Sequence, residues 1–166
     1  DKTDYDSDPT RVTIDPVTKI SEEILYIRII DISSPSRCVF DQSTVTIIVY
    51  PEPTTEIIPN QSYCDDDIDG VDTNGIVQNI NLDGLIPDIL GPLQPIGDFN
   101  VTFHADPLDL PDGTNALTTP HENISSPNQQ RIYVRVENKD TGCVNDDLFF
   151  DVIVNPLPKF KVTSPQ

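Results

Sequence analysis

"IYVRVENKDTGCVNDDLFFDVIVNPLP", residues 132–158, decides how the chain is read. It opens on a Tyr-Val-Arg-Val strand, turns through polar residues to Cys143, resumes as a β-branched and aromatic run, and stops at two prolines. Apolar positions recurring every second residue mark a half-buried strand, so the stretch reads as a hairpin with a cysteine near its turn. "LYIRIIDISSPSRCVFDQSTVTIIVYPEP", residues 25–53, repeats the same order of features. Tyr26 corresponds to Tyr133, Arg28 to Arg135, Cys38 to Cys143, Pro51 to Pro156 and Pro53 to Pro158. The offset is 107 residues before the cysteine and 105 from it onward, so the first copy holds two extra turn residues.

A period of this length suits one immunoglobulin-like sandwich and is far too long for a solenoid unit. The expected fold is therefore all-β, with immunoglobulin-like β-sandwich repeats in tandem. Residues 1–53 read as the C-terminal half of one repeat, 54–158 as a complete repeat, and 159–166 as the start of the next or a linker. The firm strands are 26–32, 44–50, 99–105, 132–138 and 148–155, all rich in Val, Ile, Thr and aromatic residues. Weaker candidates are 11–14, 55–58 and 76–82. "LDGLIPDILG", residues 82–91, has leucine and isoleucine at helical spacing, but Gly84 and Pro87 limit it to a short turn of helix. The Pro-x-Pro elements at 51–53 and 156–158 read as stiff hinges, since proline fixes φ and removes a backbone donor. Strand-ending prolines fit the same picture.

Three cysteines leave one over if they pair within the chain. If each repeat joins an early cysteine to a late one, Cys64 bonds Cys143, and the mate of Cys38 lies before residue 1. The expectation is a Cys64–Cys143 bridge in an oxidising, extracytoplasmic compartment. Such a bridge would stabilise the repeat by roughly 3–5 kcal/mol. The alternative is three reduced thiols.

"YCDDDIDGV", residues 63–71, packs four aspartates into five positions. Asp65, Asp67 and Asp69 alternate and Gly70 follows, which gives the D-x-D-x-D-G opening of a calcium loop. Alternate side chains along a tight loop converge, the glycine allows the turn, and the carbonyl of Val71 completes the pattern. Hard oxygen donors at this spacing suit Ca²⁺. The second half is missing: position 12 is Ile76, where a bidentate Glu belongs. The remaining ligands would have to come from Asp72 or from Asp146 and Asp147 beyond Cys143. A solvated acidic turn is the competing reading.

Composition excludes several functions. Twenty-eight acids against ten bases give a formal charge of -18, which repels phosphate backbones and anionic headgroups, so nucleic acid and membrane insertion are poor partners. No apolar run approaches the length of a membrane-spanning helix, and the amino terminus has no signal-peptide pattern, as expected for a mature or excised segment. His104 and His121, the two histidines, are expected at a strand end and in a surface loop rather than in a metal pair or catalytic dyad. No nucleophile elbow, zincin helix or phosphate-binding loop is present, so a catalytic role is not expected. "NQS" (60–62), "NVT" (100–102) and "NIS" (123–125) match the glycosylation sequon.

The combination of "YCDDDIDGVDTNGIVQNINL", "FNVTFHADPLDLPDGTNAL" and "IYVRVENKDTGCVNDDLFFDVIVNPLP" resembles one unit of the tandem repeats in large Bacteroidetes cell-surface proteins, the type 9-secreted, gliding-motility-associated adhesins. The resemblance covers most of 61–158, and 25–53 match its closing part again. It implies an extracellular, outer-membrane-associated module exported by the type 9 system, with adjacent repeats, surface glycans or other cell-surface proteins as partners. The first copy departs from the pattern, because "SSPSRCVFDQ" replaces "NKDTGCVNDD" and carries fewer acids. Two functions compete: a calcium- and disulfide-stiffened stalk or adhesive element, and an accessory spacer or carbohydrate-binding module of a secreted enzyme. The absence of Trp, and the expected burial of Tyr26, Tyr63 and Tyr133, favour the stalk.

Overall fold

The computed structural model describes residues 12–14, 20–33, 35–68, 70–71 and 73–158. The chain is all-β, with very little helix. It divides into two compact units, one ending at Pro51 and the other beginning at Glu52.

The first unit is an antiparallel sheet of β1 (Val12–Ile14), β2 (Ser21–Ile30) and β3 (Val39–Val49), in that order. A bulge between Ile27 and Ile29 shifts the β2–β3 register. Leu25, Ile27, Ile29, Val45, Ile47 and Val49 fall on one face by alternation. The last five of these are 37–60% exposed.

The second unit contains β4 (Gln61–Cys64), the five-residue helix α1 (Ile86–Leu90), β5 (Phe99–His104), β6 (Gln129–Asn138), β7 (Val144–Asn145) and β8 (Phe149–Asn155). Its sheet order is β4-β8-β6-β5, with β7 also paired to β6. β6 runs antiparallel to both β5 and β8, and β4 runs parallel to β8. Here the alternating face is a core. Ile132, Val134, Val136, Phe150, Val152 and Val154 are buried, and they correspond to Leu25 and the five exposed residues of the same face on β2 and β3.

The layer opposite this face is irregular. Ile80, Leu82, Ile89 and Leu90 reach the core from this layer, and Phe103 joins it from β5. Ile80 forms a lone bridge with His121, and α1 presents Ile89 and Leu90 inward. Pro87 sits in the first turn of α1, where its missing N–H has no helical partner to lose, and Gly91 ends the helix at φ +66°. The expected short helix in 82–91 is therefore present. The weak strand candidates at 55–58 and 76–82 are not strands. Asn79 adopts φ +62°, which breaks an extended run, and Glu56 reaches the layer by one backbone bond from its N to Ile89 O at 2.8 Å. β4 had no recognisable strand signal, because its four residues "QSYC" are too few to show a period.

The outer face of the sheet carries an ion pair. Arg131 and Asp151 are directly opposite on β6 and β8, with Nε donating to Oδ1 at 3.0 Å. The guanidinium also lies 4.3 Å from the centroid of the Phe149 ring. The hydrogen bond from Arg131 holds the Asp151 carboxyl below its usual 3.8, against an opposing effect of burial. A lowered folded-state pKa stabilises the fold at pH values above the unfolded pKa, and the contribution is lost as pH falls through the folded value. Asp151→Asn is thus predicted to lower stability by a constant amount above about pH 5, with the difference from wild type shrinking below it. Urea melts across pH 2.5–7 check this.

Candidate functional site

The two cysteines of the second unit are placed by the strands that carry them. Cys64 ends β4 opposite Asn155, the last residue of β8. Asn155 Nδ2 donates to Ser62 Oγ at 2.8 Å and to Tyr63 O at 3.2 Å, pinning this edge strand beyond its ladder bonds. Tyr63 packs against the core, and burial pushes its phenol up. Alternation then turns the neighbouring Cys64 outward, where its thiol is exposed.

Cys143 belongs to the turn between β6 and β7. Asn138 Oδ1 accepts from Asp140 N and Thr141 N, both at 3.0 Å, and Gly142 takes φ +71°. Asn138 N donates to Cys143 O at 2.9 Å, which closes the turn. The first unit builds the corresponding turn alike: Asp31 N donates to Cys38 O at 2.9 Å, and Arg37 takes φ +44° where Gly142 stands in the second.

These placements put Cys64 and Cys143 at opposite ends of the sheet. Gln129 pairs with Ile153, so Asn155 is level with residue 127 of the β6 line, while Cys143 is level with Asn138. Eleven strand residues separate those levels, or roughly 35 Å at about 3.3 Å each. A disulfide needs Cα atoms within about 7 Å. The expected Cys64–Cys143 bridge within one repeat is therefore corrected. Pairing an early cysteine with a late one assumed that the first strand ends where the last hairpin turns; with β4 parallel to β8, Cys64 at the end of β4 lies instead beside Asn155 at the far end of β8.

The acidic loop follows Cys64. Asp65 N donates to Asn155 O at 2.8 Å, and the side chain, 3% exposed, accepts from Gly75 N through Oδ2 at 2.9 Å. Its Oδ1 is buried with no hydrogen-bond partner among the described residues. Asp66 is committed to the backbone, accepting from Ile68 N and Gln78 N. Asp67 and Val71 are exposed. Asp69 and Asp72 lie outside the described residues. Asp147 is excluded as a ligand of this loop. It stands two residues before β8 begins at Phe149, and the six residue steps of β8 alone hold that end roughly 20 Å from Asn155, against Ca²⁺–oxygen distances of about 2.3–2.6 Å. Asp146 fails for the same reason. Among the described residues no group of three His, Cys, Asp or Glu side chains is arranged to hold a metal. The orphaned Asp65 oxygen fits a hard cation; the Asp66 carboxylate does not.

Gly75 joins this loop to a second one. Its φ is +72°, and a Cβ there would lie 2.8 Å from Asn128 N, so only glycine fits. Asn123, fully buried, accepts from Val77 N at 2.7 Å and donates to Gly75 O at 3.0 Å and Ser126 O at 3.2 Å. Its amide nitrogen is spent on structure, so the "NIS" sequon is not an accessible acceptor, unlike the exposed Asn60 and Asn100. The histidines are likewise buried rather than superficial. His104 Nδ1 donates to Thr114 O at 2.9 Å, leaving Nε2 for the Thr102 hydroxyl, and His121 Nε2 meets Gln130 Oε1 at 2.9 Å. The Thr-x-His pattern on β5 was the only local sign of this role. Tyr26 is 50% exposed, against the burial expected of it, and Tyr133 is half-buried.

A shallow groove lies between residues 56–59 and α1, lined by Glu56, Ile57, Pro59, Pro87 and Asp88. None of its lining residues is aromatic. Among the described residues no helix is long and apolar enough to cross a membrane.

Residues 60–158, about three-fifths of the chain, match a family described as the Flavobacterium inter-domain disulphide bond domain. No curated protein and no solved structure matches the chain.

Removing the Asn123 side chain leaves the buried Val77 N–H without an acceptor and unties two loops. Asn123→Ala is predicted to cost about 2–4 kcal/mol of unfolding free energy, read by urea denaturation.

Proposed function

The chain belongs to the Flavobacterium inter-domain disulphide bond family, and we propose that it is a non-catalytic link in an extracellular tandem array whose modules are joined covalently by disulfides. The array forms the stalk or adhesive part of a bacterial cell-surface adhesin, reaching the surface by type 9 export, with neighbouring repeats as its first partners. The observation that supports this reading is the placement of Cys64 and Cys143 at opposite ends of one sheet. A cysteine at each end serves neighbours rather than its own module. A spacer or sugar-binding module of a secreted enzyme is less well supported, since the groove beside α1 offers no aromatic platform for a sugar ring.

The test is made on intact cells with a membrane-impermeant thiol reagent. The full-length protein is predicted to take up label only after a reductant has been added. Labelling without reductant would remove the disulfides, and protection under both conditions would remove the surface location.

The Asp65 loop is a second element of the reading, as a site for Ca²⁺ or a similar hard cation. Two features support it: the buried Asp65 Oδ1, which has no hydrogen-bond partner among the described residues, and the D-x-D-x-D-G spacing of Asp65, Asp67 and Asp69. With dissociation constants of about 0.1–1 mM, typical of extracellular sites, 5 mM Ca²⁺ is predicted to raise Tm by about 2–8 °C over chelator. Asp65→Asn should abolish the shift. Equal melting with and without Ca²⁺ would assign the loop to structure alone.

A further inference from the structure

We infer that Cys64 takes as its disulfide partner the counterpart of Cys143 in the module that follows. This deepens the crosslinked-array reading and rests on it. Because β4 and β8 are parallel, the chain enters the module at one end of the sheet and leaves at the other. Cys64 stands at the exit, beside Asn155.

The entry end is equally well marked. Thr54 is held by Gln94, its N donating to Oε1 at 3.1 Å and its O accepting from Nε2 at 2.6 Å. Gln94 leads into Asp98, whose O accepts from Lys139 N at 2.9 Å, and Phe99 pairs with Asn138. Asn138 in turn closes the Cys143 turn. The docked start of the module and Cys143 thus share one end.

Between the exit residue Asn155 and the counterpart of Thr54 in the next repeat lie Pro156, Leu157 and Pro158. Four residue steps span at most about 14 Å, so the exit of one module is tethered close to the entry of the next. Cys64 at that exit meets a Cys143 counterpart at that entry. The reverse pairing, Cys143 with a later Cys64 counterpart, would have to cross two module lengths. By the same rule Cys143 pairs with a Cys64 counterpart in the module before it. Cys38, in the turn between β2 and β3, does so one repeat earlier. No two of the three cysteines of this chain pair with each other, and the odd count needs no orphan.

Each bond forms when two thiols lose two protons and two electrons to a disulfide oxidant, which leaves as two thiols. The test extends the chain at Pro158 with a second copy of residues 54–158, with Cys38→Ser throughout. One variant keeps only Cys64 of the first copy and Cys143 of the second; the other keeps only Cys143 of the first and Cys64 of the second. Both are exposed to oxidised glutathione, and closure is read by thiol titration and mobility on non-reducing gels. Closure of the first variant alone is expected. Closure of the second, alone or to the same extent, overturns the pairing but leaves a crosslinked array. Closure of neither removes the array reading itself.

Discussion

The parallel pairing of β4 with β8 is the constraint on which the rest depends. It is a short contact, with Gln61 to Cys64 lying against Val152 to Asn155. An antiparallel first strand would bring the chain in and out at the same end. The parallel one sends it through, so that a load applied between the termini runs along the strands of the sheet. It also sets Cys64 at the exit and leaves Cys143 at the entry. A module built in this way gains nothing internally from its cysteines. Its own cohesion rests on the core between β5, β6 and β8 and the irregular layer, and on the loop knot of Asp65, Gly75 and Asn123.

Much of the sheet was legible, and for a physical reason. β5, β6 and β8 bury one face, so their β-branched and aromatic residues alternate, and the period is visible in "IYVRVEN" and "FFDVIVN". The hairpin repeat was equally visible, and the two copies share the backbone bond that closes the cysteine turn. Strand direction was not legible. Alternation reports which face a residue occupies and says nothing of whether a neighbour runs parallel, so the partner of Cys64 was assigned within its own repeat. The opposite layer was misread for a related reason: at 76–82 apolar residues are buried from a loop whose Asn79 has left extended geometry.

The acidic loop shows how a charge cluster divides its work. Its four neighbouring carboxylates look equivalent in the sequence, yet Asp65 is buried and ties Gly75, Asp66 caps two backbone amides, and Asp67 faces solvent. A motif counts side chains, whereas a fold spends them one at a time. His104, His121 and Asn123 make the same point from the other direction. They looked like surface or strand-end polar residues because a buried polar group announces itself only through its partners, and apart from Thr102 beside His104 those partners are backbone atoms or side chains on other elements.

The central claim is that Cys64 and Cys143 of one module stand at opposite ends of its sheet. Spin labels on those two cysteines, in the Cys38→Ser chain, measure this directly by pulsed dipolar spectroscopy. The account predicts a single distance population centred at roughly 30–40 Å, from about 3.3 Å per strand residue. A population below about 15 Å would contradict it, because the two sulfurs would then be near enough for a bridge within the module.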